Sequence, residues 1–149
     1  MDKLPLPRDF KDFLQLLNSA DVEYLLVGGY AVGVHGYPRS TGDMDIWVAA
    51  NATNAEKIIR VLLNFGFSAE TVKSEMFTKA DQVVRMGLPP VAIDVITSAS
   101  GVDFADCKTR RAMQTIDGIE VPVIHLDDLK VNKKASGRPK DLDDLENLP

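Results

Sequence analysis

Apolar residues recur along this chain with two different periods, and the change from one to the other marks out its elements. Phe10, Phe13, Leu14 and Leu17 fall at helical spacing, with Pro7 and Asp9 suited to a first turn and Asn18-Ser19 to a last one. The short apolar run Tyr24–Val27 predicts a strand that breaks at Gly28-Gly29. A segment able to form a helix follows, then a loop rich in Pro, Arg, Ser, Thr and Gly, then a second strand, Asp43–Val48. Thr53 and Glu56 have the spacing of a capping box, and Ile58, Ile59, Leu62 and Leu63 form the stripe of the helix it opens, with Gly66 as its stop.

Beyond Gly66 the pattern weakens, and residues 68–81 are expected to be a loop with one helical turn. Gln82–Met86 and Val91–Thr97 predict two strands joined by a turn at Gly87-Leu88-Pro89-Pro90. Ser98–Gly101 break the chain before a helix over Val102–Arg111. Asp117-Gly118 then joins Met113–Ile116 to Ile119–Ile124 as a hairpin, with Pro122 placing its second strand at a sheet edge. Leu126 to Leu148 reads as two short helices broken near Gly137-Arg138-Pro139. No repeat or linker composition divides residues 1–149, so a single domain is expected.

Composition narrows the function. A formal net charge of -5 and a pI near 5.0 argue against a basic nucleic-acid coat. The first ten residues carry no signal-peptide pattern, and no run is long enough to span a membrane, so the cytoplasm is the expected location. Cys107 is the lone cysteine, which excludes an intramolecular disulfide and leaves no thiolate metal cluster. His35 and His125 have no cluster around them and read as a turn residue and a surface residue.

The chemistry is carried by acids and glycines. Alternation along the second strand puts Asp43, Asp45 and Trp47 on one face and Met44, Ile46 and Val48 on the other. Paired glycines between a strand and a helix let the backbone approach a ligand and turn free N–H groups toward an anion. An anion site beside two carboxylates suits a nucleoside triphosphate bound through magnesium. Asp94 interrupts the apolar run V-A-I-D-V-I-T. A carboxylate there needs a neutralising partner: either a metal, or Arg85 on the neighbouring strand. Asp-x-Asp alone is weak, and Asp141 and Asp143 supply another. Trp47 can stack on a base or simply pack. Between Lys130 and Lys140 lie five basic residues and no acid, which is either a solvated face or a set of cations for phosphate oxygens or an RNA backbone.

The combination of Gly28-Gly29, Asp43-x-Asp45 and a later strand aspartate resembles the nucleotidyltransferase superfamily with the DNA-polymerase-β-like fold. The run G-G-Y-A-V-x-x-H-G-x-x-R-x-T-x-D-x-D-I, together with the tail N-K-K-A-S-G-R-P-K-D-L-D-D-L-E-N-L, is similar to small prokaryotic members grouped with AbiEii-type abortive-infection toxins. The resemblance covers about residues 22–148.

It implies an α+β fold with a mixed central sheet flanked by helices and a short helical C-terminus. Asp43, Asp45 and Asp94 would be the catalytic and metal-binding residues, holding two magnesium ions, with manganese as a substitute. Gly28, Gly29, Arg39, Thr41, Lys133, Arg138 and Asp141 would bind the nucleotide, with Lys134 as the alternative to Lys133. The implied reaction is two-metal transfer of a nucleoside monophosphate from an NTP to a hydroxyl on RNA, a protein or a small molecule. A nucleotide-binding or toxin–antitoxin module without turnover is the alternative, and a toxin or antitoxin would then be its partner. Many relatives have Gly-Ser where this chain has Gly28-Gly29, which removes a hydroxyl contact to phosphate. The larger toxins also carry a further helical domain, which leaves acceptor recognition open.

Overall fold

A computed structural model describes residues 6–39, 41–88 and 91–149. Pro89-Pro90 of the expected turn, Ser40 of the glycine-rich loop and Met1–Pro5 lie outside them. Helix α1 (Arg8–Ser19) leads into β1 (Tyr24–Val27), α2 (Gly28–Val34), β2 (Asp43–Val48) and α3 (Ala52–Phe65). After a 3-10 turn at Ser74–Phe77 come β3 (Val83–Leu88), β4 (Val91–Ile96), α4 (Phe104–Thr109), β5 (Ala112–Ile116) and β6 (Ile119–Val123). Two helices, α5 (Leu126–Ser136) and α6 (Pro139–Asn147), close the chain.

The six strands form one mixed sheet in the order β3-β4-β2-β1-β6-β5. β2 and β4 run parallel, as do β1 and β6, and the other neighbours are antiparallel. The expected helix-flanked mixed sheet is therefore what forms. No described helix is long and apolar enough to cross a membrane.

Burial rather than capping makes α1. Its N-cap is Pro7, with no side-chain hydrogen bond. An absent cap forgoes about 1 kcal/mol. Phe10, Phe13, Leu14 and Leu17 are each at most 1 % exposed, and each contributes about 1.5–3 kcal/mol. The stripe wins easily. Phe13 meets Phe65 of α3 edge to face at 5.3 Å, which fixes the two long helices against each other.

Three sequence expectations shift. The cap of α3 is Asn51, whose side chain accepts the Asn54 N–H at 2.8 Å, so the Thr53/Glu56 capping box does not form. The helix starts early because Asn54 is needed inside its first turn. There it bonds both backbone groups of Glu23 and the carbonyl of Ala49, tying α3 to the entry of β1 and the exit of β2. α4 spans only Phe104–Thr109, capped by Asp103, because the chain must already be extended at Ala112. Finally, Pro122 does not mark an edge: β6 lies between β1 and β5. The proline is tolerated because the β1 ladder is confined to Leu26 opposite Val123, with the Ile124 N–H donating to Leu26 O. Nearer the start of β6, the side-chain amide of Asn18 donates to the carbonyl of Glu120.

Candidate active site

Strand register assembles the site. Val27, Asp45, Asp94 and Arg85 are successive partners across β1, β2, β4 and β3, one row through four strands. Asp43, two residues before Asp45, shares its face. The opposite face of β2 presents Met44, Ile46 and Val48, all fully buried, so the core holds the acidic face outward.

Arg85 spans two of the three acids. Its Nε and Nη2 donate to the two carboxylate oxygens of Asp94 at 2.9 and 2.8 Å, and Nη2 also reaches Asp43 at 3.0 Å. The partner that Asp94 was expected to need is thus present on the next strand. Among the described residues, no cation forms an ion pair with Asp45. Burial, and then the charges of Asp94 and Asp43, raise its pKa from the ordinary 3.8 to about 6, with Lys133 and Lys140 partly opposing.

Gly28 and Gly29 are required by the protein's own packing. Gly28 has φ +70, and a Cβ there would fall on the Asp45 carboxylate, with Cγ only 2.9 Å away. A Cβ on Gly29 would stand 2.6 Å from Thr41 Oγ1. The pair lets the Asp45 carboxylate and the Thr41 loop close against the start of α2.

The far wall comes from α5 and α6. Gly137 adopts a left-handed conformation and Pro139 opens α6, so the break between two helices falls where the sequence predicts it, and the two helices pack against each other. Asp141 and Asp144 are both fully buried, one turn apart on α6. Lys133 reaches Asp141 at 3.2 Å and Asp144 at 3.0 Å. Arg138 bonds Asp141 through both backbone and guanidinium, and Arg39 grips Asp144 at 2.6 and 2.8 Å. Burial alone would raise both acids. Hydrogen bonds from Arg138 and Lys133 to one, and from Arg39 and Lys133 to the other, hold them below the usual carboxylate range instead.

A cavity of about 540 Å³ separates these walls. Asp43, Asp45, Asp94, Gly28, Gly29, Arg39, Thr41, Lys133, Arg138 and Asp141 all line it, so every sequence-predicted site residue is brought to one place. Lys134 does not line it. Lys133 does, but its ammonium is committed to the two buried acids, so the residue is an interior strut. Trp47 is fully buried and packs edge to face on Phe104 at 5.2 Å, out of reach of a base. His35 bonds the carbonyl of Ile124, and His125 caps α5.

Three contributors went unread in the sequence. Asp144 was signalled only by its spacing from Asp141, and Lys140 was one basic residue among five. The sequence offers Arg85 only as a structural partner of Asp94, whereas it also lines the cavity. Among the described residues, no three His, Cys, Asp or Glu side chains form a ready-made metal cage.

A mixed sheet carrying an acidic row beside a strand-to-helix glycine pair defines a nucleotidyltransferase. The chain belongs to the aminoglycoside-2''-adenylyltransferase family, whose sequence model matches residues 9–148. No curated protein sequence matches it. The fold is similar to that of a Thermotoga maritima protein assigned as a nucleotidyltransferase, with a TM-score of 0.66 at 16% identity over 93% of this chain and 89% of that one. It is also similar to the lincosamide antibiotic adenylyltransferase LnuA, solved with lincomycin bound: TM-score 0.63 at 16% identity, covering 95% of both chains. The antibiotic-resistance factor ANT(2'')-Ia has a TM-score of 0.58 at 12% identity, over 93% of this chain and 79% of that one. The superfamily expected from the motifs is met, while the finer AbiEii-type grouping finds no support in these matches.

Proposed function

We propose that residues 1–149 form one catalytic domain that transfers the nucleoside monophosphate of an NTP, ATP first among them, to a hydroxyl of a small-molecule acceptor. The observation that carries this reading is the convergence of Asp43, Asp45 and Asp94 on one wall of a cavity whose other wall is cationic. The cavity has the size of a small-molecule site, and the net charge of -5 disfavours a large nucleic-acid footprint. The family's aminoglycoside-adenylyltransferase character, and the similarity in fold to the lincomycin-bound LnuA, support a small acceptor.

The acidic row fits hard divalent cations, magnesium or manganese, because its donors are carboxylate oxygens and, among the described residues, no cation forms an ion pair with Asp45. Bound by Asp43, Asp45 and Asp94, such ions would offset negative charge on the attacking and leaving oxygens. The protein groups do the rest. Arg138, whose side chain is 61% exposed, and Lys140 extend cations toward the triphosphate. Arg39, Thr41 and the Gly28-Gly29 backbone complete the nucleotide side, with Lys133 and Asp141 bracing it from behind. Asp94 accepts the acceptor's hydroxyl proton; the hydroxyl oxygen attacks the α-phosphorus, and the bond to the β-phosphate oxygen breaks with its electron pair, releasing pyrophosphate.

The test is incubation with α-labelled NTPs and magnesium, against hydroxylated antibiotics and against fractionated cell extract. Label in a small molecule, with matching pyrophosphate, supports the reading. Metal-dependent NTP binding with no pyrophosphate in any fraction would instead favour a binding or toxin–antitoxin module.

A further inference from the structure

Arg85 occupies a place that no part of the reaction just described needs. It lies on β3, an outer strand of the sheet, beside Val83, which is 67% exposed. Its own side chain is 48% exposed, yet its guanidinium turns inward onto Asp94 and Asp43. A planar fork on two carboxylate oxygens, with one nitrogen shared to a second carboxylate, occupies lone pairs that a divalent cation would use. The three carboxylates are neighbours on one sheet face and repel one another unless some cation sits among them.

We propose that Arg85 is the protein's own counter-ion for the acidic row, a positioning residue that holds Asp43 and Asp94 until a divalent metal displaces it. This rests on the proposed metal-dependent reading of the site. Metal and guanidinium compete for the same oxygens, so metal entry is coupled to rotation of Arg85 toward the open rim. The exposure of its side chain and the outer position of β3 give it room to leave without disturbing the core. Arg85 therefore keeps the metal-free site ordered at the expense of metal affinity.

The experiment measures manganese affinity by calorimetry and by electron paramagnetic resonance, without nucleotide, on wild type, Arg85→Gln and Arg85→Lys. Arg85→Gln is expected to bind manganese about tenfold more tightly, the equivalent of losing one charge-assisted contact. It should also melt earlier in chelator and recover more on adding metal than wild type does. Arg85→Lys, which keeps the charge but loses the fork, should fall between. Unchanged or weaker manganese binding in both variants overturns the proposal. Asp45→Asn serves as the control. If wild type binds no more manganese than Asp45→Asn, the metal reading itself fails; if wild type binds and Arg85→Gln does not tighten, only this inference does. Should Arg85→Gln fail to fold in chelator, the Arg85→Lys titration decides alone.

Discussion

The Asp45 carboxylate fills the space that a side chain on Gly28 would need, with Asp45 Cγ 2.9 Å from the position of a Gly28 Cβ. Gly28 also holds φ +70, a left-handed conformation in the first residue of α2. The two constraints coincide at one residue. Gly28→Ala should therefore lose about 1–2 kcal/mol from backbone conformation alone, and should push Asp45 off its row. Urea denaturation and turnover, measured side by side, check both effects. Retained activity at wild-type stability would mean that the close approach is not needed.

Asp45 should make metal-free stability depend on pH. Its pKa is about 6 in the fold against an ordinary 3.8, so between those values the folded state holds more protons than the unfolded chain. Stability in chelator should decline as pH rises through that window and level off above it. Asp45→Asn removes the slope, and near neutral pH it should be more stable than wild type by about 1–3 kcal/mol. It should also abolish transfer, as should Asp43→Asn. Equal pH slopes in wild type and Asp45→Asn would assign the titration elsewhere.

Asp94→Asn separates a structural from a catalytic carboxylate. The change strips Arg85 of its main partner, but a guanidinium on a half-exposed side chain can return to water. The stability loss should stay within about 1 kcal/mol, while turnover disappears. A loss of several kcal/mol with turnover intact would reduce Asp94 to an ion-pair partner.

Lys133 and Arg138 should behave oppositely. Lys133→Ala leaves Asp141 to Arg138 and Asp144 to Arg39 but removes the buried cation they share, and should cost about 1–3 kcal/mol. Arg138→Ala leaves Asp141 still bonded to Lys133, so its effect should appear in NTP affinity, by about 1.5–3 kcal/mol. Denaturant midpoints with nucleotide titrations in magnesium settle the contrast. A stable Lys133→Ala protein with weakened NTP binding would return Lys133 to the role of a phosphate clamp.

The sequence made the acidic face legible because alternation in β2 is a local property, readable from Asp43 to Val48 without knowing the neighbours. The break of the tail at Gly137 and Pro139 was equally local. What stayed hidden depends on register between distant strands. Arg85 could be named as a partner for Asp94, but its reach to Asp43 requires β4 to lie between β3 and β2. Pro122 misled for the same reason: a missing N–H predicts an edge only if the neighbouring ladder extends to that residue. Lys133 could be picked from the basic run, yet nothing along the chain revealed that Asp141 and Asp144 would turn inward and consume its charge.

The two faces of β2 also restrict how this site can change. A carboxylate moved by one position along the strand lands among Met44, Ile46 and Val48, inside the core. Asp45 moved two positions onward lands on Trp47, which is fully buried against Phe104. A one-residue slip in the register of β2 would exchange the faces wholesale and put the acids into the interior. The acidic row can thus lose members by point substitution, but it cannot migrate. New substrates are reachable for this scaffold through the loops and the rim around a reaction centre that stays where it is.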